Sequence, residues 1–87
     1  QSRLMLYRAC RLLDRGHPAE RESALSKWLV TDSAVRVASD SIQIHGALGI
    51  LEESKLTAEL QDALPGRIFS GANELLKEIV LASLKRA

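Results

Sequence analysis

Residues 18–44 read PAERESALSKWLVTDSAVRVASDSIQI, and no glycine or second proline interrupts this stretch. Pro18 pre-sets the first turn of a helix. Behind it, apolar residues recur at helical spacing, with Asp32 interrupting them. This apolar seam consists of Leu25, Trp28, Leu29, Val35, Ala38 and Ile42. A helix of this length would measure about 40 Å. Because propensity alone does not hold such a helix in water, it must pack lengthwise against neighbouring helices, which predicts an all-α protein.

The segment before this stretch predicts a first, shorter helix. Ser2 can cap its start, and Gly16 ends it. Its apolar stripe is formed by Leu6, Cys10 and Leu13. A lone cysteine on such a stripe is more often a small buried apolar residue than a reactive one, so we expect Cys10 to be buried.

The segment after the long stretch predicts two more helices. We expect a short helix over about residues 52–61, a turn at residues 64–66, an extended pair at residues 68–69 and then a last helix. Ser70 or Gly71 would cap this last helix. The complete pattern predicts an antiparallel four-helix bundle with short connections, which forms a single domain over residues 1–87.

Composition and charge exclude several classes of protein. The chain has 87 residues, a net charge of +1 and three aromatic residues, so it lacks the field and the stacking groups of a nucleic-acid-binding domain. No apolar run approaches the roughly 20 residues that cross a bilayer, so no membrane association is expected. The single cysteine precludes an intrachain disulfide and fits a reducing compartment such as the cytoplasm. The chain does not start with methionine and its helical pattern begins at once, which suggests a piece of a longer protein.

The charged and metal-ligating side chains give only weak indications of a site. Arg8, Arg11 and Arg15 form one stripe on the first helix. We interpret this stripe as a solvent-exposed face, with a phosphate- or nucleic-acid-binding surface as the weaker alternative. His17 and His45 are accompanied by no cysteine pair, so no metal site is predicted.

Two glycine-containing segments are more informative. The first, residues 43–49, follows the end of the long helix, and its small residues let a ligand or another backbone approach closely. The side-chain amide of Gln43 could supply both a donor and an acceptor there. The second, residues 68–74, leads into the start of the last helix, where unpaired N–H groups attract anions, although simple helix capping also explains it.

The order and spacing of these segments resemble the C-terminal helical domain of the acyl-CoA dehydrogenase family. The family pattern is a long helix ending in Gln-x-x-Gly-Gly-x-Gly, a short acidic helix ending in Arg-Asp, and an Ile-Tyr-Glu-Gly-Thr-x-Glu/Gln-Ile segment before the final helix. The corresponding stretches here are QIHGALG at residues 43–49, Gln61-Asp62, and IFSGANEL at residues 68–75. They follow one another without a gap, and the resemblance covers essentially all 87 residues.

The resemblance implies the C-terminal domain of a flavoenzyme that oxidises an acyl thioester between its α and β carbons. In such enzymes, FAD lies between a β-barrel and this helical domain, and subunits associate through their helical domains into homo-oligomers. Gln43, Gly46 and Ala47 occupy the positions that contact the FAD of a neighbouring subunit. The positions that contact the FAD of the same subunit, after the catalytic base, are occupied by Gly71, Ala72 and Glu74. The acyl thioester would be bound by domains that precede this one.

Several positions depart from the family pattern. Ser70 occupies the place of the catalytic Glu, and a neutral serine hydroxyl cannot take a proton from carbon, so no catalytic residue is assigned here. Ala72 replaces the usual Thr, Ala47 the second Gly, and Gln61 the Arg of Arg-Asp. These changes leave two readings open. Either the base lies elsewhere in a divergent enzyme that acts on a carrier-protein thioester or an unusual acyl group, or the domain is a non-catalytic oligomerisation module.

Overall fold

The computed structural model describes residues 1–86, which form an all-α fold. The five helices are α1 (Ser2–Asp14), α2 (Glu20–His45), α3 (Ala47–Ile50), α4 (Leu56–Ala63) and α5 (Asn73–Arg86). Two short 3₁₀ turns, Glu52–Ser54 and Leu64–Arg67, lie on either side of α4. The four longer helices confirm the predicted bundle, and α3 adds a single turn directly after the long helix.

The long helix α2 is the spine on which the others pack. It contacts α1, α3, α4 and α5. Helix α5 runs antiparallel to α2, since its first residues lie near Lys27 whereas its end forms the Arg86–Glu20 ion pair. Helices α1 and α5 flank the N-terminal half of α2, and α4 runs back along its C-terminal half, so that Gly66 meets Thr31.

The described part of the chain is elongated and has a small core. Its Cα radius of gyration is 15.9 Å, whereas a compact domain of this length would have about 12 Å. Within residues 1–86, the buried apolar side chains are those of Ala9, Ala19, Ala24 and Leu76. Every larger apolar residue on the predicted seam of α2 keeps part of its surface exposed. Much of the apolar surface of the described residues is therefore exposed.

Helix α1 packs with a different face from the one predicted. Leu6 and Leu13 are 50% and 60% exposed, and Cys10 is exposed as well, so the prediction of a buried cysteine was wrong. The neighbouring row on the same helix is closer to α2, with Ala9 buried and Leu12 half-buried. Because both rows are apolar, periodicity defined a wide face but could not tell which edge of it would meet α2.

The connection between α4 and α5 also differs from the prediction. Residues 68–69 are not extended, since the N–H groups of Ile68 and Phe69 both donate to the carbonyl of Pro65, at 2.9 and 3.0 Å. Helix α5 does not begin at Ser70 or Gly71 but at Asn73, with the Ala72 carbonyl accepting its first backbone bonds. Ser70 and Gly71 have φ of 55° and 89°, so the chain makes a left-handed turn before it enters the helix.

Two other helix boundaries were misplaced. Ser2 is the first residue of α1 rather than its cap, and Gln1 occupies the capping position without a side-chain hydrogen bond. The short helix begins at Leu56 rather than near residue 52, because Lys55 adopts a left-handed φ of 61° and separates it from the preceding 3₁₀ turn.

Candidate functional site

The first candidate segment forms a tight backbone turn at the end of α2. Gly46 ends the helix with φ 63° and ψ −139°, a conformation that essentially requires glycine. A β-carbon on Gly46 would meet no atom within 4 Å, so the space beside its backbone is open. Gln43 and Ala47 are exposed on either side of it. Three of the predicted site residues therefore lie together at an accessible turn.

The second glycine of this segment has a structural explanation. Gly49 is buried, and a β-carbon there would stand 2.6 Å from the carbonyl oxygen of Ile42. Its N–H donates to the Gly46 carbonyl at 2.9 Å. Glycine at this position lets α3 fold back onto α2 and needs no ligand to explain it. His45 is likewise structural, with Nδ1 at 2.7 Å from the carbonyl of Ser41.

The second candidate segment is joined to the middle of α2 by Asn73, the first residue of α5, which is 97% buried. Its Oδ1 accepts a hydrogen bond from Lys27 Nζ at 2.9 Å. Its Nδ2 donates to Thr31 Oγ1 and to Asp32 Oδ1, both at 3.0 Å. The same ammonium of Lys27 donates to the carbonyl oxygen of Gly71 at 2.8 Å. We refer to Lys27, Thr31, Asp32 and Asn73 as the Asn73 cluster.

Asp32 extends this cluster on the other side. Its Oδ2 accepts from Trp28 Nε1 at 2.9 Å, and its Oδ1 forms an ion pair with Arg67 Nε at 3.1 Å. Asp32 is thus bonded to Arg67, within the connection that leads into α5, and to Asn73, the first residue of α5. The residue that interrupted the apolar seam of α2 is therefore one of those that join this connection to α2.

The structure brings the predicted site residues together in two separate groups. Gln43, Gly46 and Ala47 share the turn after α2, while Gly71, Ala72 and Glu74 share the entry to α5. Gly71 and Ala72 are half-buried and Glu74 is exposed. Since the entry to α5 contacts α2 near Thr31, and Gln43 lies twelve residues farther along α2, the two groups are separated by about 18 Å along the helix axis.

Sequence reasoning missed the Asn73 cluster, although part of its signal was visible. An aspartate four residues after Trp28, on the apolar side of a helix, must find hydrogen-bond donors if it is to be covered. The other donors come from residues 67 and 73, which are more than 30 positions away, and no local pattern connects them to Asp32.

The other candidate features of the sequence give no evidence for a functional site among the described residues. The arginines of the α1 stripe are exposed, and Arg8 approaches Glu22 of α2 at 4.0 Å. Among residues 1–86, no group of three or more His, Cys, Asp or Glu side chains is placed to hold a metal ion. The described helices include none that is both long enough and apolar enough to span a bilayer.

Comparison with known proteins gives a consistent picture. A family model described as acyl-CoA dehydrogenase, C-terminal domain, matches residues 1–85. The chain is 44% identical over 84 residues to L-prolyl-[peptidyl-carrier protein] dehydrogenase of a Serratia species, and 37% identical over 84 residues to the protein of that name from Pseudomonas fluorescens. Each match covers 97% of this chain and 22% of the relative.

A solved structure, that of PigA with FAD and proline, has the same fold. It matches with a TM-score of 0.93 at 43% identity, over 100% of this chain and 23% of that chain. The chain thus spans about a fifth of the length of the relatives it matches. Because the family model covers nearly every residue, the chain belongs to the acyl-CoA dehydrogenase family and corresponds to the C-terminal helical domain of its members.

Proposed function

We propose that residues 1–87 act as a single C-terminal domain in an FAD-dependent dehydrogenase that oxidises an acyl group held as a thioester on a carrier protein. The observation that carries this proposal is the match over the whole chain to a prolyl-carrier-protein dehydrogenase, at 44% identity. A prolyl group is therefore the first substrate to test. The domain would contribute contacts to FAD and to neighbouring subunits, and the rest of the polypeptide would bind the thioester.

The turn after α2 fits the role of an FAD contact. The open space beside Gly46 admits close approach of a ligand to the backbone. The exposed amide of Gln43 can donate to and accept from the adenosine diphosphate portion of FAD. Ala47 is exposed next to them, so its methyl group reduces the space through which a ligand can reach the Gly46 backbone. We assign Gln43, Gly46 and Ala47 to the FAD of a neighbouring subunit.

The entry to α5 fits the other FAD contact. Gly71 belongs to the left-handed turn that the Asn73 cluster joins to α2, and Ala72 and Glu74 follow it. The first N–H groups of α5 have no earlier helical turn to bond to, and a carbonyl-rich ring system can accept from them. FAD, when bound, supplies the hydride acceptor for the oxidation. We assign Gly71, Ala72 and Glu74 to the FAD of the same subunit.

Ser70 does not serve as the base in this proposal. Its hydroxyl is exposed at the position where many family members place a glutamate. No hydrogen bond in the described residues connects Ser70 to a histidine or a carboxylate that could deprotonate it. Since the 44% identical relative is itself a dehydrogenase, a base located in the preceding part of the polypeptide explains Ser70 better than loss of activity does.

We further propose that the protein is a homo-oligomer, a dimer or a tetramer, and that it acts in the cytoplasm. Support for association comes from large apolar side chains that are mostly exposed, among them Ile44 at 83%, Leu4 at 72% and Ile68 at 71%. An exposed free thiol at Cys10 is compatible with a reducing compartment.

The test uses the full-length protein purified with any flavin it retains. We expect the absorbance of bound flavin and oxidation of an L-prolyl thioester on its carrier protein, measured with an artificial electron acceptor. A panel of acyl-CoA thioesters serves as the control for substrate class. Flavin binding with turnover of acyl-CoA alone would overturn the carrier-protein substrate but leave the family role intact.

The alternative is a non-catalytic helical module for oligomerisation. It is favoured by Ser70 in the place of the base and by Ala72 in the place of the hydroxyl residue. A folded, oligomeric full-length protein that neither retains flavin nor takes up added FAD would support this alternative and contradict the enzyme.

A further inference from the structure

We propose that Lys27 is a positioning residue, which holds the Ser70–Gly71 turn on α2 and so sets where the entry to α5 meets the flavin. This inference rests on the proposed function and deepens it. It assigns a role to a side chain that lies on α2, well away in sequence from the segment it controls.

The first step concerns the backbone of the turn. Ser70 and Gly71 both have positive φ, and a serine in this region is strained relative to its ordinary conformations. Two successive left-handed residues persist only where the surroundings hold them. Ser70 is exposed, and a β-carbon on Gly71 would meet only Leu76 Cδ2, at 3.7 Å, so packing alone provides little restraint.

The second step concerns the contact that does provide restraint. Lys27 Nζ lies 2.8 Å from the Gly71 carbonyl and 2.9 Å from Asn73 Oδ1, so one ammonium bonds to both sides of Ala72. Ala72 is one of the residues assigned to FAD. Hydrogen bonds from a charged donor are about twice as strong as those between neutral groups. Lys27 therefore fixes the position of Ala72 from α2, through the residues on either side of Ala72.

The third step concerns the orientation of the Asn73 amide. The oxygen of the Asn73 amide faces the Lys27 ammonium. Its nitrogen faces the Asp32 carboxylate, with Asn73 Nδ2 at 3.0 Å from Asp32 Oδ1. The reverse orientation would place donors against a cation and an acceptor against an anion. The two opposite charges on α2 thus determine the orientation of the Asn73 amide.

The chain offers a matched control for Lys27. Lys77, on α5, also has its ammonium near α2, with Nζ 5.2 Å from the centre of the Trp28 ring. It forms no hydrogen bond to residues 66–73 among those found in the described part of the chain. A substitution at Lys77 therefore removes one positive charge near α2 without removing a hydrogen bond to the turn.

The experiment compares full-length proteins carrying Lys27→Met, Lys27→Arg or Lys77→Met with the unaltered protein. After removal of flavin, three quantities are measured: the FAD dissociation constant, the melting temperature of the apoprotein, and the rate of limited proteolysis at residues 66–72. For Lys27→Met we expect FAD affinity to fall about tenfold and proteolysis of the turn to accelerate severalfold, with a decrease in melting temperature too small to account for the loss of affinity. Lys77→Met is expected to match the unaltered protein in FAD affinity and in proteolysis, and to lower the melting temperature only by the loss of its contact with Trp28.

The arginine variant keeps the charge and the donors but presents them in a planar group of different shape. We expect its FAD affinity to lie between those of Lys27→Met and the unaltered protein. An affinity outside that interval would overturn the proposal, and so would Lys27→Met with unaltered affinity and proteolysis. A fall in affinity that merely follows the melting temperature would show a structural role only and would equally overturn it.

The design separates this inference from the function on which it rests. If the unaltered protein binds no FAD, the proposed function fails, yet the proteolysis of the apoprotein still tests whether Lys27 holds the turn. If Lys27→Met does not fold, Lys27→Arg decides, because accelerated proteolysis of the turn together with an unaltered FAD affinity would then overturn the positioning role.

Discussion

Gly49 and Ile42 stand in such close contact that a β-carbon on Gly49 would lie 2.6 Å from the carbonyl oxygen and 3.0 Å from the Cα of Ile42. Both are backbone atoms of α2, so no side-chain rotation can relieve the overlap. This approach folds α3 back on the end of α2 and thereby fixes the turn at Gly46.

Gly49→Ala is therefore expected to destabilise the protein by about 2 kcal/mol, the usual cost of an enforced backbone shift in a close-packed region. Denaturant unfolding of the full-length protein measures the loss. Gly66→Ala is the matched control, because its β-carbon would make only an ordinary contact, 3.4 Å from Thr31 Cγ2. Equal unfolding midpoints for the two variants would contradict the close approach at Gly49.

Asn73→Asp tests the balance of charges within the Asn73 cluster. The substitution keeps the shape of the side chain but replaces the donor that faces Asp32 Oδ1, at 3.0 Å, with a second carboxylate oxygen. The hydrogen bond from Lys27 is retained. The hydrogen bond to Asp32 is lost, and two carboxylates face each other in its place. We expect a loss of about 2–3 kcal/mol in the free energy of unfolding.

The control for this substitution is Asn73→Asp combined with Asp32→Asn, which restores one donor and one acceptor between the two positions. The double variant should recover part of the lost stability. If the single variant is as stable as the unaltered protein, the amide of Asn73 does not donate to Asp32 as the structure has it.

The sequence allowed the helices to be predicted because their signals are local. The glycine-free stretch 18–44 defined α2 to within two residues at its start and one at its end. It did not reveal the packing of α1, since Leu6 and Ala9 lie on adjacent rows of one apolar face and only tertiary contacts choose between them. The left-handed φ of Ser70 was equally invisible, because serine favours caps and the hydrogen bond next to it, at the Gly71 carbonyl, comes from Lys27 on α2.

The candidate site was predicted as two segments at helix ends. The first is a turn after α2, whereas the second makes a left-handed turn before α5, and the extended pair predicted within it is not formed. What the sequence could not supply was the connection between them. Asp32 was visible as an interruption of the seam, but its partners Arg67 and Asn73 come from a segment more than 30 residues later. These contacts form only because α4 packs antiparallel to α2, and the periodicity of the sequence does not specify which residues of the two segments then meet.

Ala47→Gly tests the proposed FAD contact at the end of α2. The substitution removes the methyl group beside the open turn at Gly46, and we expect FAD to bind severalfold more tightly to the full-length apoprotein. Because Ala47 is the first residue of the single-turn helix α3, the change should cost about 0.5–1 kcal/mol of stability. Titration of the apoprotein with FAD, followed by flavin fluorescence, measures the affinity.

Gln43→Ala is the matching control at the same turn, and it is expected to change FAD affinity in the opposite direction. The residue is exposed and its loss should leave stability within about 0.5 kcal/mol, while FAD affinity decreases. An unchanged dissociation constant in both variants would remove this turn from the cofactor site.

The isolated chain of residues 1–87 is expected to self-associate or to unfold at low concentration. Leu6, Leu13 and Val30 line an apolar groove of about 390 Å³ between α1 and α2, and none of them is buried. Exposed apolar surface of this kind drives association in water. Sedimentation velocity measures the outcome, and a folded, strictly monomeric domain at high concentration would contradict the expectation. Leu6→Lys should shift the equilibrium toward monomer, whereas Arg11→Lys, on an exposed position of the same helix, should not.

Ser70→Ala addresses the position at which the family places its base. The hydroxyl of Ser70 is exposed, and it belongs to a left-handed residue whose conformation alanine can also adopt at similar strain. If the base lies in the preceding part of the polypeptide, turnover of the prolyl thioester by the full-length protein should stay within about twofold of the unaltered rate, since a general base contributes about 100-fold or more. Steady-state kinetics with the carrier-bound substrate measure this. A fall of 100-fold or more in kcat, with FAD still bound, would instead give Ser70 a direct part in proton transfer and would require a second group to activate its hydroxyl.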